Sequence, residues 1–252
     1  MTVLHLADDT EAADLAAFLS RLLHYDRAAA VRLQAAGTAL AVFGRPTSFE
    51  VLAVRTVRLA KPYEDGLDVT LDVTVSAGDL LESVDDTAAT AAVPAAVTGP
   101  PWAGVLPPRG GWRPEPGLPA ADALRAVLSA AVAEFRSRTR GLPDERRTRA
   151  ELDRIGREIW SRTVGETRLP VRAVHAAQSL GFLRAPSAGP ATTAAVPGGS
   201  SSAVPGSGSP EEAGAGGGPV LFSSGAWLRL RTPYGSIAVR QAGLGTLGVS
   251  VR

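Results

Sequence analysis

One motif with chemical meaning stands near the C-terminus, where Gly243, Gly245 and Gly248 have the G-x-G-x-x-G spacing of dinucleotide-binding loops. That chemistry needs a helix after the glycines to hold the pyrophosphate, and an acidic residue about 20 positions later. Only four residues follow Gly248. We therefore interpret the motif as part of a tail or strand, and we predict no cofactor.

The three histidines, His5, His24 and His175, are the next candidates for metal binding or proton transfer. Histidine ligands commonly lie four positions apart on one helix, and none of the three has a second histidine at that spacing. His24 and Asp26 could form a small polar cluster at the end of a predicted helix. We predict no metal site, and an enzyme with a site near His24 stays open as an alternative function.

Nucleophilic catalysis has little support in this sequence. There is no cysteine, so thiol chemistry and disulfides are excluded. The serine runs at 200–202 and 207–209 lie in a low-complexity segment, and no G-x-S-x-G motif is present. We predict no catalytic residue. The leading hypothesis is a non-catalytic interaction or regulatory protein that binds another macromolecule.

A mixed α+β fold must position these side chains. Apolar residues recur with helical spacing over 15–22, which predicts an N-terminal helix, and Asp8 and Glu11 stand where its first turn begins. Later segments are rich in β-branched residues or alternate apolar with polar residues, which predicts strands. These segments are 31–35, 39–43, 49–59 and 67–75. Their short connections favour an antiparallel β-meander.

The second half predicts helices and then a hairpin. Residues 119–184 repeat with helical spacing in three places, which predicts a central three-helix, arginine-rich region. Residues 185–219 have almost no large apolar side chain to offset their ordering entropy, which predicts a disordered loop. Trp227–Arg231 and Ser236–Arg240 flank Thr-Pro-Tyr-Gly, which predicts a C-terminal β-hairpin. The predicted regions are 1–84 (helix and sheet), 85–118 (Pro/Gly-rich connection), 119–184, 185–219 and 220–252.

Charge is distributed unevenly, although the net charge is only +1. Residues 1–135 carry an excess of seven negative charges, whereas residues 136–184 carry an excess of six positive charges. The basic half could attract a polyanion, or the two halves could pack together and neutralise each other. The basic side chains are 25 arginines and one lysine, and asparagine is absent. This composition is typical of a GC-rich genome and by itself does not indicate phosphate recognition.

The order of elements over 144–240 resembles a winged helix, with two helices, a turn region, a third helix and a terminal hairpin. In that family the last helix enters the major groove of DNA and the hairpin contacts the backbone. The resemblance implies nucleic-acid binding by the third helix and the hairpin, whose basic character agrees. The implied contact residues are Arg168, Arg172, His175, Gln178, Arg229, Arg231 and Arg240. The other interpretation is a helical layer that covers the sheet, with the hairpin joining that sheet as edge strands.

Nothing in the sequence indicates a membrane. The first residues lack the basic and apolar regions of a signal peptide, and no run of about 18 apolar residues occurs. We expect a cytoplasmic protein without a membrane partner. A protein partner is the leading expectation, and nucleic acid is the alternative.

Overall fold

The computed structural model describes residues 2–184 and 218–241. Its architecture is α+β, with antiparallel sheets and a layer of helices, as the sequence predicts. The predicted disordered loop, apart from its last two residues, and the glycine motif at 243–248 lie outside the described residues.

The described residues form five α-helices and eleven strands. The helices are α1 (Asp9–Tyr25), α2 (Ala77–Glu82), α3 (Ala121–Arg140), α4 (Arg149–Trp160) and α5 (Val171–Ser179). The first seven strands are β1 (Val3–His5), β2 (Ala30–Ala36), β3 (Ala39–Gly44), β4 (Leu52–Arg58), β5 (Thr70–Ser76), β6 (Val84–Asp85) and β7 (Thr90–Ala92). The last four are β8 (Arg113–Glu115), β9 (Val220–Ser224), β10 (Trp227–Thr232) and β11 (Gly235–Arg240).

Eight strands form one antiparallel sheet in the order β5-β2-β3-β4-β11-β10-β9-β8, and β1, β7 and β6 form a small second sheet. β2, β3 and β4 follow one another as a meander, whereas β5 returns to pair with β2. The hairpin β10–β11 joins the sheet through β4, where Ser236 faces Val54. Its strands lie in the interior of the sheet and not at the edge, because β9 and β8 extend the sheet beyond β10.

α1 begins where the sequence predicts. Asp8 caps it by accepting a hydrogen bond from the backbone N–H of Glu11 at 2.8 Å. Leu15 and Leu19, in the middle of its apolar stripe, are completely buried in the core. Because burial of one such side chain contributes roughly 1.5–3 kcal/mol, this stripe is a main source of the stability of α1.

The helices α3, α4 and α5 share this core. Thr148 caps α4 by accepting a hydrogen bond from the N–H of Glu151 at 3.3 Å, and a short 3-10 turn from Asp144 to Arg146 precedes it. α5 packs against β11, α3 and α4. Its buried residues are Val171, Ala173, Val174, Ala176 and Ala177. Most of α5 is therefore inaccessible to a partner.

β5 is shorter than the alternation over 67–75 predicts. It begins at Thr70, which pairs with Ala36, the last residue of β2. Leu67 and Val69 precede this pairing and are exposed. They have no neighbouring strand to pack beside, so alternation alone overestimates the length of the strand.

The outer face of the large sheet, opposite the helices, is partly covered by the Pro/Gly-rich connection. Trp102 and Leu106 from this connection pack on a small apolar cluster. The cluster consists of Phe43, Leu52, Val54 and Ala238. Arg32 on β2 donates hydrogen bonds to the carbonyl of Ala103 and to the carboxylate of Asp72. These bonds fix the connection to the outer face.

Candidate anion-binding site

Strand β10 alternates apolar and basic residues, and this alternation decides what each face of the sheet presents. Leu228 and Leu230 are completely buried in the core on the helical side. Arg229 and Arg231 occupy the intervening positions and therefore lie on the outer face. The pleat of one strand thus brings two guanidinium side chains to the same surface.

The segment 109–112 (Arg-Gly-Gly-Trp) runs beside these arginines and is held by two hydrogen bonds. The hydroxyl of Ser224 donates to the carbonyl of Gly110 at 3.2 Å. The indole N–H of Trp112 donates to the carbonyl of Pro108 at 3.0 Å. The first bond fixes the segment to β9, and the second fixes the ring to its own turn.

Gly111 lets this segment turn sharply. Its φ is 73°, a left-handed conformation that glycine adopts without steric cost. The turn leaves the ring of Trp112 facing the guanidinium of Arg229, 5.8 Å from ring centroid to Cζ. This distance is within the range of a cation–π interaction.

These elements enclose a pocket of about 440 Å³, a volume typical of small-ligand sites. Four arginines line it: Arg55, Arg109, Arg229 and Arg231. The lining also includes Thr56, Thr232 and Ser236 and the aromatic residues Trp112 and Phe222. None of the described residues that line it is acidic. We call this cavity the arginine pocket.

Arg55 connects the arginine pocket to the interior of the protein. One terminal nitrogen donates to Glu11 at 2.9 Å and to Asp14 at 3.2 Å. The other donates to the carbonyl of Tyr234 in the hairpin turn at 2.9 Å. Through the bond to Tyr234, Arg55 positions the hairpin turn. Because two carboxylates neutralise it, Arg55 adds less positive charge to the pocket than an unpaired guanidinium would.

The same two carboxylates bind further arginines. Arg58 donates to Glu11 at 2.9 Å, and Arg184 donates to Asp14 at 2.7 Å. Together with Arg55, these residues tie α1 to the sheet and to the segment that follows α5. We call the five residues the α1 ion cluster.

Arg109 differs from the two β10 arginines in its exposure. It is exposed, whereas Arg229 and Arg231 are partly buried. The pKa of Asp72 is lowered chiefly by its hydrogen bonds from Arg32 and in smaller part by the charge of Arg109. The β10 arginines act in a medium of lower dielectric constant, where their attraction for an anion is stronger.

The lining of the arginine pocket suits an anion better than it suits catalysis. Guanidinium groups form strong, paired hydrogen bonds with phosphate and carboxylate oxygens. The described lining contains no histidine, cysteine or carboxylate that could act as a general base. What the site can do chemically is therefore to bind and orient a negatively charged group.

Of the residues selected by the winged-helix resemblance, the structure brings Arg229 and Arg231 together in the arginine pocket. Arg240 is exposed at the end of β11 and does not line the pocket. Arg168 donates to Glu115 at 3.2 Å, so its charge is balanced within the protein. Arg168 also donates to Gln241, next to Arg240, at 2.9 Å, so it lies beside the end of the hairpin and outside the arginine pocket.

The other three selected residues lie on α5. Arg172 and His175 line a separate groove between the helices, and Gln178 is exposed. With α5 mostly buried and the hairpin inside the sheet, the structure has a helical layer over a sheet. It does not present an exposed recognition helix beside a projecting wing.

The polar cluster predicted around His24 lies at the exposed C-terminal end of α1. His24 is exposed, and its ring lies edge-on to Tyr25 with centroids 5.3 Å apart. Asp26 accepts a hydrogen bond from the N–H of Ala28 at 3.0 Å, which closes the turn after α1. Neither His24 nor Asp26 lines the arginine pocket or the groove between the helices.

Sequence reasoning missed Arg55, Arg109 and Trp112. The signal for Arg55 is its place in β4, where alternation puts it on the buried face with Ala53 and Val57. The signal for the other two is the run Arg-Gly-Gly-Trp, in which a cation and a ring flank turn-forming glycines. Neither signal specifies that these residues meet β10.

Across residues 2–184 and 218–241, no helix is both long and apolar enough to cross a membrane. Nor does this part of the chain bring together three or more His, Cys, Asp or Glu residues that could hold a metal ion.

Fold and site together define an α+β protein with an arginine-lined pocket on the outer face of an antiparallel sheet. Residues 107–244 match the model of a family described as a domain of unknown function (DUF8185), and the chain belongs to this family. Residues 1–104 match a second model, also described as a domain of unknown function (DUF8010). No curated protein and no solved structure matches the chain.

Proposed function

We propose that this chain is a non-catalytic binding protein that holds an anionic group of a macromolecular partner, a phosphate or a carboxylate, in the arginine pocket. The observation that carries the proposal is the convergence of Arg109, Arg229 and Arg231 on one cavity without an acidic residue in its described lining. Thr232 and Ser236 line the same cavity.

The rigidity of the pocket supports this function. β10 is an interior strand, and the turn after it is closed by a hydrogen bond from the Thr232 hydroxyl to the carbonyl of Gly235 at 2.9 Å. A Cβ at Gly235 would lie 2.5 Å from the Phe182 ring, so the turn packs closely on the core. Donors that are positioned before binding reduce the entropic cost of holding a ligand.

One observation favours nucleic acid as the partner. The rings of Trp112 and Phe222 lie in the same lining as Arg229 and Arg231. Proteins that bind single strands combine cationic side chains with rings on which bases stack. In this second candidate function the nucleic acid binds to the outer face of the sheet and not to α5. A protein partner would instead supply a phosphorylated or acidic side chain.

The first test is calorimetric titration of the full chain with inorganic pyrophosphate at low ionic strength. We expect one saturable site on the unmodified protein. Arg231→Gln should weaken binding at least tenfold, since a charge-assisted hydrogen bond contributes about 1.5–3 kcal/mol. Arg240→Gln is the matched control, because Arg240 is an exposed arginine of the same hairpin outside the pocket.

Absence of saturable pyrophosphate binding, or equal losses in the two variants, would refute the proposed pocket. A short oligothymidylate then distinguishes the partners in a salt series followed by fluorescence anisotropy. If the pocket binds a nucleic-acid phosphate, Arg231→Gln should reduce the slope of log affinity against log salt by about 0.7. Binding of pyrophosphate without binding of the oligonucleotide would exclude nucleic acid and leave an acidic or phosphorylated protein.

A further inference from the structure

A second cavity, of about 910 Å³, lies on the helical side of the sheet. It is bounded by the end of α1, the 3-10 turn Thr47–Phe49, α4 and α5, and it shares no lining residue with the arginine pocket. Five rings line it: Tyr25, Phe49, Phe135, Trp160 and His175. We call this cavity the aromatic groove.

The rings of the aromatic groove form a continuous series of contacts. Phe49 lies edge-on to Tyr25 and to His175, with centroids 5.2 Å and 4.9 Å apart. The ring of His175 lies 4.8 Å from that of Trp160 and is tilted by 35° to it. Burial lowers the pKa of His175, which favours its neutral form. The wall is therefore a largely uncharged aromatic surface, which suits an aromatic ligand.

Arg172 supplies a positive charge at this aromatic wall. Its side chain lines the groove, and its Nε is buried without an acceptor among the described residues. Buried donors in folded proteins almost always have an acceptor, so this atom points to an oxygen that a ligand would bring. The nearby Arg149 already contacts Asp153 at 3.4 Å and is a weaker candidate.

Gly156 keeps the space between two of the rings open. It is buried within α4, where glycine is unfavourable for the helix. A Cβ at this position would lie 3.5 Å from Cδ1 of Trp160 and 3.7 Å from Cε2 of Phe135. These are ordinary contact distances, so an alanine fits the helix while taking volume from the groove.

We propose that the aromatic groove binds a small planar aromatic acid, with its ring against Trp160 and His175 and its carboxylate on Arg172. The volume lies in the range of small-molecule sites. Ring stacking accounts for the aromatic wall, and the carboxylate accounts for the buried Nε. Among the charged residues of the lining, three arginines outnumber two acids, which also favours an anion.

The test is calorimetric titration of the full chain with 2-naphthoate and with 2-naphthamide, which has nearly the same shape and no charge. We expect saturable binding of 2-naphthoate at one site, at least tenfold tighter than binding of the amide. Arg172→Gln should remove this preference, because it weakens binding of 2-naphthoate far more than binding of the amide. Gly156→Ala should weaken both ligands while raising the midpoint of thermal unfolding, which separates occlusion of the groove from misfolding.

Two controls separate this site from the rest of the molecule. Arg136→Gln changes an exposed arginine outside both cavities, and Arg231→Gln changes the arginine pocket. Both variants should bind 2-naphthoate as the unmodified protein does. Absence of saturable binding, equal affinity for acid and amide, or an unchanged preference in Arg172→Gln would each overturn the proposal.

Discussion

Arginines occur in two settings in this protein, the helical layer and the arginine pocket. In the helical layer Arg138 donates two hydrogen bonds to Glu158, at 2.7 Å and 2.8 Å, and Arg162 donates two to Glu134, at 2.5 Å and 2.8 Å. We call these four residues, with Glu151 and Arg154, the helical ion-pair network. In the arginine pocket the described lining holds four arginines and no acid.

The difference between the two settings is one of geometry. In the helical layer the pairs join neighbouring elements: Arg138 on α3 meets Glu158 on α4, and Arg162, two residues after α4, meets Glu134 on α3. A strand places alternate residues on one face, and the cross-strand neighbours of Arg229 are the apolar Phe222 and Ala238. The positive excess over 136–184 is partly balanced by acids outside that range, since Arg162 pairs with Glu134, Arg168 with Glu115 and Arg184 with Asp14. A count of charges along the sequence does not show which arginines meet an acid, because pairing depends on which residues face each other.

The largest expected effect is at Arg55, which belongs to both the arginine pocket and the α1 ion cluster. Arg55→Gln should lower the free energy of unfolding by about 3 kcal/mol, because it leaves buried carboxylates with fewer partners. Urea unfolding measures this change. The control is Arg58→Gln, whose side chain is 68% exposed and whose loss should cost less than about 1 kcal/mol. Similar losses in the two variants would show that burial does not distinguish these ion pairs.

A smaller effect is expected at Gly111, in the segment beside the β10 arginines. Gly111→Ala places a Cβ at a φ of 73° and should lower the free energy of unfolding by about 1–2 kcal/mol. It should also weaken pyrophosphate binding, because the segment can no longer hold its turn. Gly110→Ala is the matched control, since a Cβ at Gly110 would meet nothing within 4 Å. Thermal unfolding and pyrophosphate titration of both variants check the prediction. A Gly111→Ala variant with the stability and the affinity of the unmodified protein would contradict it.

The smallest effect is expected in the helical ion-pair network and depends on pH. Hydrogen bonds from Arg138 lower the pKa of Glu158 to about 2. The pKa of a glutamate in the unfolded chain is about 4.3. The contribution of the charged Glu158 to folding stability is therefore complete above that pH and is lost as the pH falls toward 2. Glu158→Gln should therefore lower stability slightly at neutral pH, by the same small amount that it removes from the fall in acid.

Thermal unfolding from pH 7 down to about pH 3 measures that acid dependence. Arg231→Gln should leave it unchanged, because Arg231 lies outside the helical ion-pair network. A Glu158→Gln variant with the acid dependence of the unmodified protein would show that these exposed pairs contribute nothing to folding.

Local patterns in the sequence predict much of the fold. Helical spacing over 15–22 indicates α1, and the Thr-Pro-Tyr-Gly turn indicates the hairpin β10–β11. β8 has only three residues, one of them Pro114, and carries no strand pattern. The pairing of β4 with β11 has no local signal either, because it depends on residues that are distant in sequence.

Residues of the candidate site can likewise be predicted only where a local sequence pattern marks them. Arg229 and Arg231 can be selected from the sequence because they alternate with leucines on a predicted strand. Trp112 and Arg109 cannot be assigned to the same cavity, because an irregular connection brings them there. The chemistry of each residue can be predicted from the sequence, whereas the contact between segment 109–112 and β10 is visible only in the tertiary structure.

The pairing of β4 with β11 also has a consequence for folding. Arg55 and its partner Tyr234 are separated by 179 positions, so this part of the sheet closes late and at a high entropic cost. Until then β4 presents an open edge to other chains, which is a site for aggregation. Production of 1–104 and 107–244 as separate polypeptides would therefore expose two complementary sheet edges, and co-expression of the pieces should yield more soluble protein than either piece alone.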